Sequence, residues 1–193
     1  MNVVGLTGKA GSGKTMISKV LSNKGLVLHE LDRIGHEILR KISPDLLINN
    51  FGKNVLDKNG KINREKLGDI VFSDQVKLQQ LNSMIHPKIY KEVKKQITFD
   101  RESDHLIDGA LLFDIGLSDL CDYIIWIDCP KELAVQRMVK RGIPEEKAKY
   151  ILRVQEYLDN FKNESDKVFE NVSSPEAIIN SIISFLKSKG IML

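Results

Sequence analysis

The sequence predicts an α/β fold, a five-stranded parallel sheet flanked by helices, and three observations lead to it. Short apolar, β-leaning runs recur five times, separated by segments of helical periodicity. Those segments are long enough to be crossover helices, which parallel strands require and hairpins do not. The first run also breaks into a glycine-rich loop that opens directly into a helix.

Taken in order, residues 2–7 form the first strand, and apolar Met16, Ile17, Val20 and Leu21 come after it at helical spacing from Lys14 onward. Gly25 stops that helix, and residues 26–31 form a second extended run that ends near Glu30 and Asp32. Residues 36–98 read differently. Ile38, Leu39, Ile42, Leu46, Leu47 and Phe51, then a Lys- and Gln-rich stretch from Arg64 to Gln96, show helical periodicity, so this segment is expected to be a helical insertion. His86-Pro87 within it is expected to turn the chain between two helices or to approach a substrate. Lys88, Lys91, Lys94 and Lys95 have the spacing of a solvated face. Extended character returns at residues 105–108, 123–128 and 167–169, with a helix through Leu133, Ala134, Arg137 and Met138 between the last two. Ser174-Pro175 starts a final helix with Ile178, Ile179, Ile182 and Leu186 as its buried stripe.

The chain has 193 residues, 42% of them hydrophobic, which suits one main domain with small appendages. Its 29 basic and 26 acidic residues give a formal charge of +3, too small and too mixed for a protein devoted to nucleic acid or anionic membranes. The longest apolar run, residues 123–127, falls far short of the ~20 residues of a membrane helix, and a cytoplasmic location is expected. Cys121 and Cys129 make no C-x-x-C and read as reduced, structural thiols. His29, His36, His86 and His105 share no metal-ligand spacing with them, so no zinc is expected. Oligomeric state is not legible in the composition.

The strongest chemical signal is Gly8-Lys9-Ala10-Gly11-Ser12-Gly13-Lys14-Thr15, which fills G-x-x-x-x-G-K-[ST] between the first strand and the first helix. Glycines let the backbone wrap so that N–H groups point at a phosphate, and the helix N-terminus adds positive potential. Lys14 can then neutralise β/γ-phosphate charge and the Thr15 hydroxyl can bind Mg²⁺. The pattern points to the P-loop nucleoside-triphosphate-hydrolase fold, with ATP or GTP and magnesium.

Motor, switch and kinase chemistry all use such a loop. Asp32, beyond the second strand, can accept a proton from an attacking hydroxyl or cap the helix beginning near Ile34. Asp108 ends an apolar strand as a magnesium-holding carboxylate does, though it or Asp114 can equally cap the next segment. Arg137 and Arg141, four apart on one helix, can clamp a transferring phosphoryl group or form a solvated basic face. Residues 131–153 carry seven basic and three acidic side chains, which suits a lid closing over phosphates.

Together these residues resemble the dephospho-CoA kinase family, P-loop kinases of coenzyme A biosynthesis, over nearly the whole chain. The loop from Gly5 to Thr15 is similar to the family's opening, and Glu30-Leu31-Asp32 stands where the family has Asp-Ala-Asp. Gly60-Lys61-Ile62-Asn63-Arg64, Leu67-Gly68, Val71-Phe72, Leu81-Asn82, Ile85-His86-Pro87 and Ile89 continue the likeness. Asp108-Gly109-Ala110-Leu111-Leu112-Phe113-Asp114 resembles Asp-x-Pro-Leu-Leu-Phe-Glu. Gln136-Arg137, Arg141, Gln155, Asp166 and Asn171 fall in the order of the family's lid and late nucleotide site. The departures are Glu30 for Asp, Ala110 for Pro, Asp114 for Glu, and Ser173 where glycine is common.

The resemblance implies a nucleotide-binding core of residues 1–35, 99–136 and 159–193, a helical substrate-binding domain of residues 36–98, and a lid of residues 137–158. It implies transfer of the ATP γ-phosphate to the 3′-hydroxyl of dephospho-CoA, giving CoA and ADP in the last step of coenzyme A biosynthesis. The implied site places Asp32 as base with Lys14, Arg137 and Arg141 on the phosphoryl group. ATP falls to Gly8, Ala10, Gly11, Ser12, Gly13, Lys14, Thr15 and Asn171, the acceptor to Asp32, Arg64, His86 and Leu111, and Mg²⁺ to Thr15 and Asp108. A kinase for another small hydroxylated metabolite or nucleotide, and a nucleotide-dependent binding switch, are the competing readings. Residues 36–98 supply a roomy helical domain for a long adenosine-pantetheine acceptor, which favours the dephospho-CoA reading over a smaller acceptor, and Asp32 disfavours the switch, which needs an oriented water.

Overall fold

The computed structural model describes residues 1–172 and 174–193, so the Ser173 departure lies outside the described residues. Strands β1 (Val3–Thr7), β2 (Val27–Glu30), β3 (His105–Asp108), β4 (Tyr123–Asp128) and β5 (Lys167–Glu170) form one sheet in the order β2-β3-β1-β4-β5. Every pairing is parallel, and the register sets Leu6 beside Asp108 on one side and Ile125 on the other. The helices are α1 (Lys14–Asn23), α2 (Leu31–Lys41), α3 (Pro44–Phe51), α4 (Arg64–Phe72), α5 (Gln75–Phe99), α6 (Lys131–Lys140), α7 (Glu145–Val154) and α8 (Pro175–Ser188). A 3₁₀ segment over Glu156–Glu164, which the sequence pattern does not announce, comes after α7.

Alternation along the strands divides the sheet's two faces. Val4, Leu6, Leu106, Ile125 and Ile127 bury against Ile17 and Leu21 of α1 and Ile178, Ile182 and Leu186 of α8. On the opposite face Gly5 is required by space, since a Cβ there would lie 2.8 Å from Leu112 Cδ2. Carboxylates secure the amino ends of the strands: Asp104 accepts from Asn2 N at 2.6 Å, Asp122 from Val3 N at 2.8 Å and Asp166 from Ile124 N at 2.7 Å. Asp166 therefore stands at the sheet edge opposite the glycine loop, and its contact there is structural.

The chain divides into two compact units, one of Met1–Leu31 with Lys94–Leu193, the other of Asp32–Val93. The second has its own core of Leu39, Ile42, Leu47, Phe51, Val55, Leu67 and Val71, joined by half-buried Leu81, Met84 and Ile85. Within it Asn63 caps α4 by accepting from Lys66 N at 3.1 Å. Asp57 holds a tight turn through the N–H groups of Asn59 and Lys61, whose neighbours Leu56 and Ile62 form an antiparallel bridge.

Two local expectations are corrected. Pro87 does not turn the chain between helices; it lies inside a continuous 25-residue α5. Proline removes one N–H from the ladder, and buried Ile89, Val93 and Ile97 beyond it hold the helical path. Helix α2 begins at Leu31 rather than near Ile34, because Leu31 and Ile34 are both buried at helical spacing, which places Asp32 within the first turn instead of at the cap. Among the described residues no helix is long and apolar enough to cross a membrane.

Leu47 is fully buried in the core of the second unit. Leu47→Ala should cost about 2–5 kcal/mol, read as a lower urea midpoint at unchanged slope.

Candidate nucleotide site

The glycine loop leaves β1 and enters α1 through three residues with left-handed φ, Gly8 at 134°, Gly11 at 76° and Gly13 at 101°. Each is also confined by space: an added Cβ would lie 2.2 Å from Ile127 O at Gly8, 2.6 Å from Ala134 O at Gly11 and 2.3 Å from Asn171 Nδ2 at Gly13. The loop is thus wedged between the end of β4, helix α6 and the segment after β5. The first turn of α1 holds no acidic residue and among the described residues no side chain caps it, so the positive end of the helix faces the loop unopposed.

The outside of the loop is gripped through its carbonyls. Ser12 O accepts from Asn171 Nδ2 at 2.7 Å and from Arg137 Nη1 at 3.4 Å. Arg137 Nη1 also reaches Cys129 Sγ at 3.3 Å, and Nη2 donates to Asn171 O at 3.0 Å. Asn171 is itself fixed by its N–H on Asp128 O. Lys14 Nζ donates to Gly8 O at 2.7 Å and to Lys9 O at 3.0 Å, spanning the loop from inside. With the Ser12 carbonyl held from outside, the loop is shaped as an anion cradle.

Asp108, beside Leu6 in register, is buried and accepts from Ser18 Oγ at 2.7 Å, and that hydroxyl reaches Thr15 O at 3.3 Å. One carboxylate and the Thr15 hydroxyl on the same helix as Ser18 are hard oxygen donors, which fits Mg²⁺ completing its octahedron with phosphate oxygens and water.

Helices α6 and α7 join through Ala134, Met138, Ala148 and Leu152, with Ala10 of the loop packed against them. Beneath the loop a cavity of about 300 Å³ is lined by Lys9, Ser12, Asp128, Cys129, Glu156 and Asp159 among others. Ion pairs surround it: Lys9 with Asp159 at 2.7 Å, Lys131 with Glu156 at 3.1 Å, and Lys162 with Asp128. Burial pushes the Asp128 carboxyl up, but the Lys162 hydrogen bond, the Cys129 N–H and the charges of Lys162 and Lys9 outweigh it and hold it below the usual carboxylate value of 3.8. Burial raises the thiol of Cys129, and with nearby acids carries Cys121 to about 12, so both behave as structural thiols at neutral pH. A wider groove of about 940 Å³ runs between α6 and α7 past Val135, Val139, Tyr150 and Arg153; it includes no residue of the glycine loop and is not the nucleotide site.

The structure therefore gathers Gly8, Ala10, Gly11, Ser12, Gly13, Lys14, Thr15, Arg137 and Asn171 at one place, with Asp108 linked to them through Ser18. Arg141, at the end of α6, is exposed and stands apart from the contacts that Arg137 makes. Leu111 is half-buried in the loop after β3. In the second unit Asp32 is exposed in the first turn of α2, Arg64 is exposed at the first residue of α4, and His86 is half-buried within α5. Ser18 and Asp128 escape sequence reasoning, because their partners Asp108 and Lys162 lie 90 and 34 positions away and leave no local pattern.

The model of the dephospho-CoA kinase family matches residues 2–176. The chain belongs to the dephospho-CoA kinase family. A dephospho-CoA kinase of Fusobacterium nucleatum subsp. nucleatum is 36% identical over 191 residues, covering 96% of this chain and 97% of that one. The solved dephospho-CoA kinase from Campylobacter jejuni superposes with a TM-score of 0.70 at 27% identity, over 98% of both chains. Deoxyadenosine kinase from M. mycoides, at 15% identity and a TM-score of 0.60 over 97% of this chain and 100% of that one, shares the fold. The five-stranded parallel sheet is thus that of the P-loop kinases, and the family's members are kinases that phosphorylate a hydroxyl group with ATP.

Gly13→Ala forces a side chain into left-handed backbone and onto Asn171, and is expected to weaken ATP binding at least about tenfold in calorimetric titration. Asp128→Asn tests the cavity charges. The folded carboxyl is lowered, so its contribution is full above the unfolded value near 3.8 and fades as pH falls through the lower folded value. The stability difference between wild type and Asp128→Asn should be constant from pH 7 to about 5 and shrink below about 4.

Proposed function

We propose that the chain transfers the γ-phosphate of ATP to the 3′-hydroxyl of dephospho-CoA, giving CoA and ADP, the last step of coenzyme A biosynthesis. What carries the reading is the glycine loop braced by Arg137 and Asn171, in a chain that belongs to this family along nearly its whole length.

The acceptor oxygen attacks the γ-phosphorus as the bond to the ADP oxygen breaks, and the hydroxyl proton passes to Asp32, whose exposed carboxylate comes just after the carboxyl end of β2. Lys14 neutralises phosphate charge as the loop amides cradle it, exchanging its bonds to Gly8 O and Lys9 O for phosphate oxygens. Arg137 acts mainly by holding the loop and the Asn171 segment at the adenine end, while exposed Arg141 supplies the mobile positive charge of the lid, residues 137–158. Arg64, His86 and Leu111 contribute to the acceptor site. Thr15 and Asp108 would hold Mg²⁺, which when bound neutralises charge between the β- and γ-phosphates.

Purified protein with Mg-ATP should release ADP and form CoA in equal amounts only when dephospho-CoA is present. Absence of CoA from folded, ATP-binding protein overturns the reaction. Asp32→Asn should lower kcat by about 10²–10⁴-fold with ATP affinity near wild type; collapse of ATP binding in that variant would make Asp32 structural.

A further inference from the structure

The carbonyl side of the glycine loop is held by donors, but one of its amides is held by an acceptor from another direction. Ala10 N donates to Gln155 Oε1 at 2.8 Å. Gln155 is the residue that ends α7, so its side chain goes where that helix goes. The methyl group of Ala10 packs in the apolar cluster that joins α6 to α7, so the same residue is fixed to these helices twice, by packing and by its N–H. Lys9, one residue earlier, pairs with Asp159 at 2.7 Å, on the 3₁₀ segment that continues from Gln155. That segment also grips the loop after β3, where Tyr157 OH donates to Asp114 at 3.1 Å and Phe161 stacks on Phe113 with centroids 4.8 Å apart.

Residues 155–161 thus form a strap whose contacts alternate, Gln155 and Asp159 touching the phosphate loop and Tyr157 and Phe161 the loop beyond Asp108. A loop with left-handed glycines at positions 8, 11 and 13 has little conformational preference at those positions, so its outside contacts help set which way its amides point. The side-chain amide of Gln155 gives that contact an acceptor without a charge, beside a loop built to receive anions.

We propose that Gln155 is a positioning residue that sets the phosphate loop's conformation through the Ala10 N–H, making nucleotide affinity depend on how α7 is placed. The proposal rests on the nucleotide-binding reading of the loop. It requires neither contact between Gln155 and substrate nor a particular acceptor.

The test compares Gln155→Leu, which keeps the bulk and loses the acceptor, with Gln155→Glu, which keeps the accepting oxygen. Exchange of the Ala10 amide is monitored by NMR, and ATP affinity by calorimetry without acceptor substrate. Gln155→Leu is expected to speed Ala10 exchange and weaken ATP binding by about tenfold each, the equivalent of about 1.4 kcal/mol. The KM for dephospho-CoA should stay within about twofold, and Gln155→Glu should keep Ala10 exchange slow. Should Gln155→Leu fail to fold, Gln155→Asn, one methylene shorter, carries the same expectation. Unchanged exchange and ATP affinity in Gln155→Leu overturn the proposal even if its thermal midpoint falls, and so does a Gln155→Glu variant that exchanges as fast as Gln155→Leu. Wild type that binds ATP yet makes no CoA would overturn the dephospho-CoA kinase reaction and leave this result standing.

Discussion

The Ser12 carbonyl is the point on which the nucleotide site depends. Asn171, from the end of β5, and Arg137, from α6, both donate to it, and Arg137 also donates to the carbonyl of Asn171. A peptide whose oxygen is drawn outward by two donors presents the neighbouring N–H groups inward, and that orientation is what makes a glycine loop an anion site. The two donors come from sequence positions more than a hundred residues away. They are in place because β4 pairs next to β1 and β5 next to β4, which carries Asp128 and Asn171 to the loop's side of the sheet. The parallel sheet thus does more than fill the core, since its strand order delivers the braces.

On the other side of β1 a buried polar chain ties the sheet edge to α5. His105 Nε2 donates to Asp100 O at 2.6 Å, and its Nδ1 is hydrogen-bonded to His29 Nε2 at 3.0 Å. Gln96 Oε1, 2.9 Å from His29 Nδ1, closes the chain. Both rings are buried, and each relieves the other of an unsatisfied nitrogen. Two histidines that share no spacing in the sequence are a structural pair because β2 and β3 are neighbours, with His29 set beside Ile107 and Val27 beside His105.

Legibility varies with the range of the interaction. The glycine loop, the five strands and the apolar stripes of α1 and α8 are readable because each depends on residues within a few positions of one another. Pro87 reads as a break from its local preference for ending a helix, yet the buried residues beyond it outweigh that preference, and packing alone reveals this. Asp108 reads as a cap or a metal-holding acid, and its bond to Ser18 places it against α1. Arg137 and Arg141 look equivalent at i and i+4, yet one is drawn onto backbone carbonyls and the other remains exposed at the helix end.

Local pattern and periodicity were enough to set which segments become strands and helices, and that a phosphate-binding loop joins the first strand to the first helix. Which side chains grip that loop was settled by tertiary packing. Arg137 and Asn171 lie 125 and 159 positions from Ser12, and Gln155 lies 145 from Ala10. A hydrogen bond of that range leaves no local pattern in the chain. It exists because strand order and helix packing bring its partners within reach, and burial then makes leaving either one unpaired unfavourable.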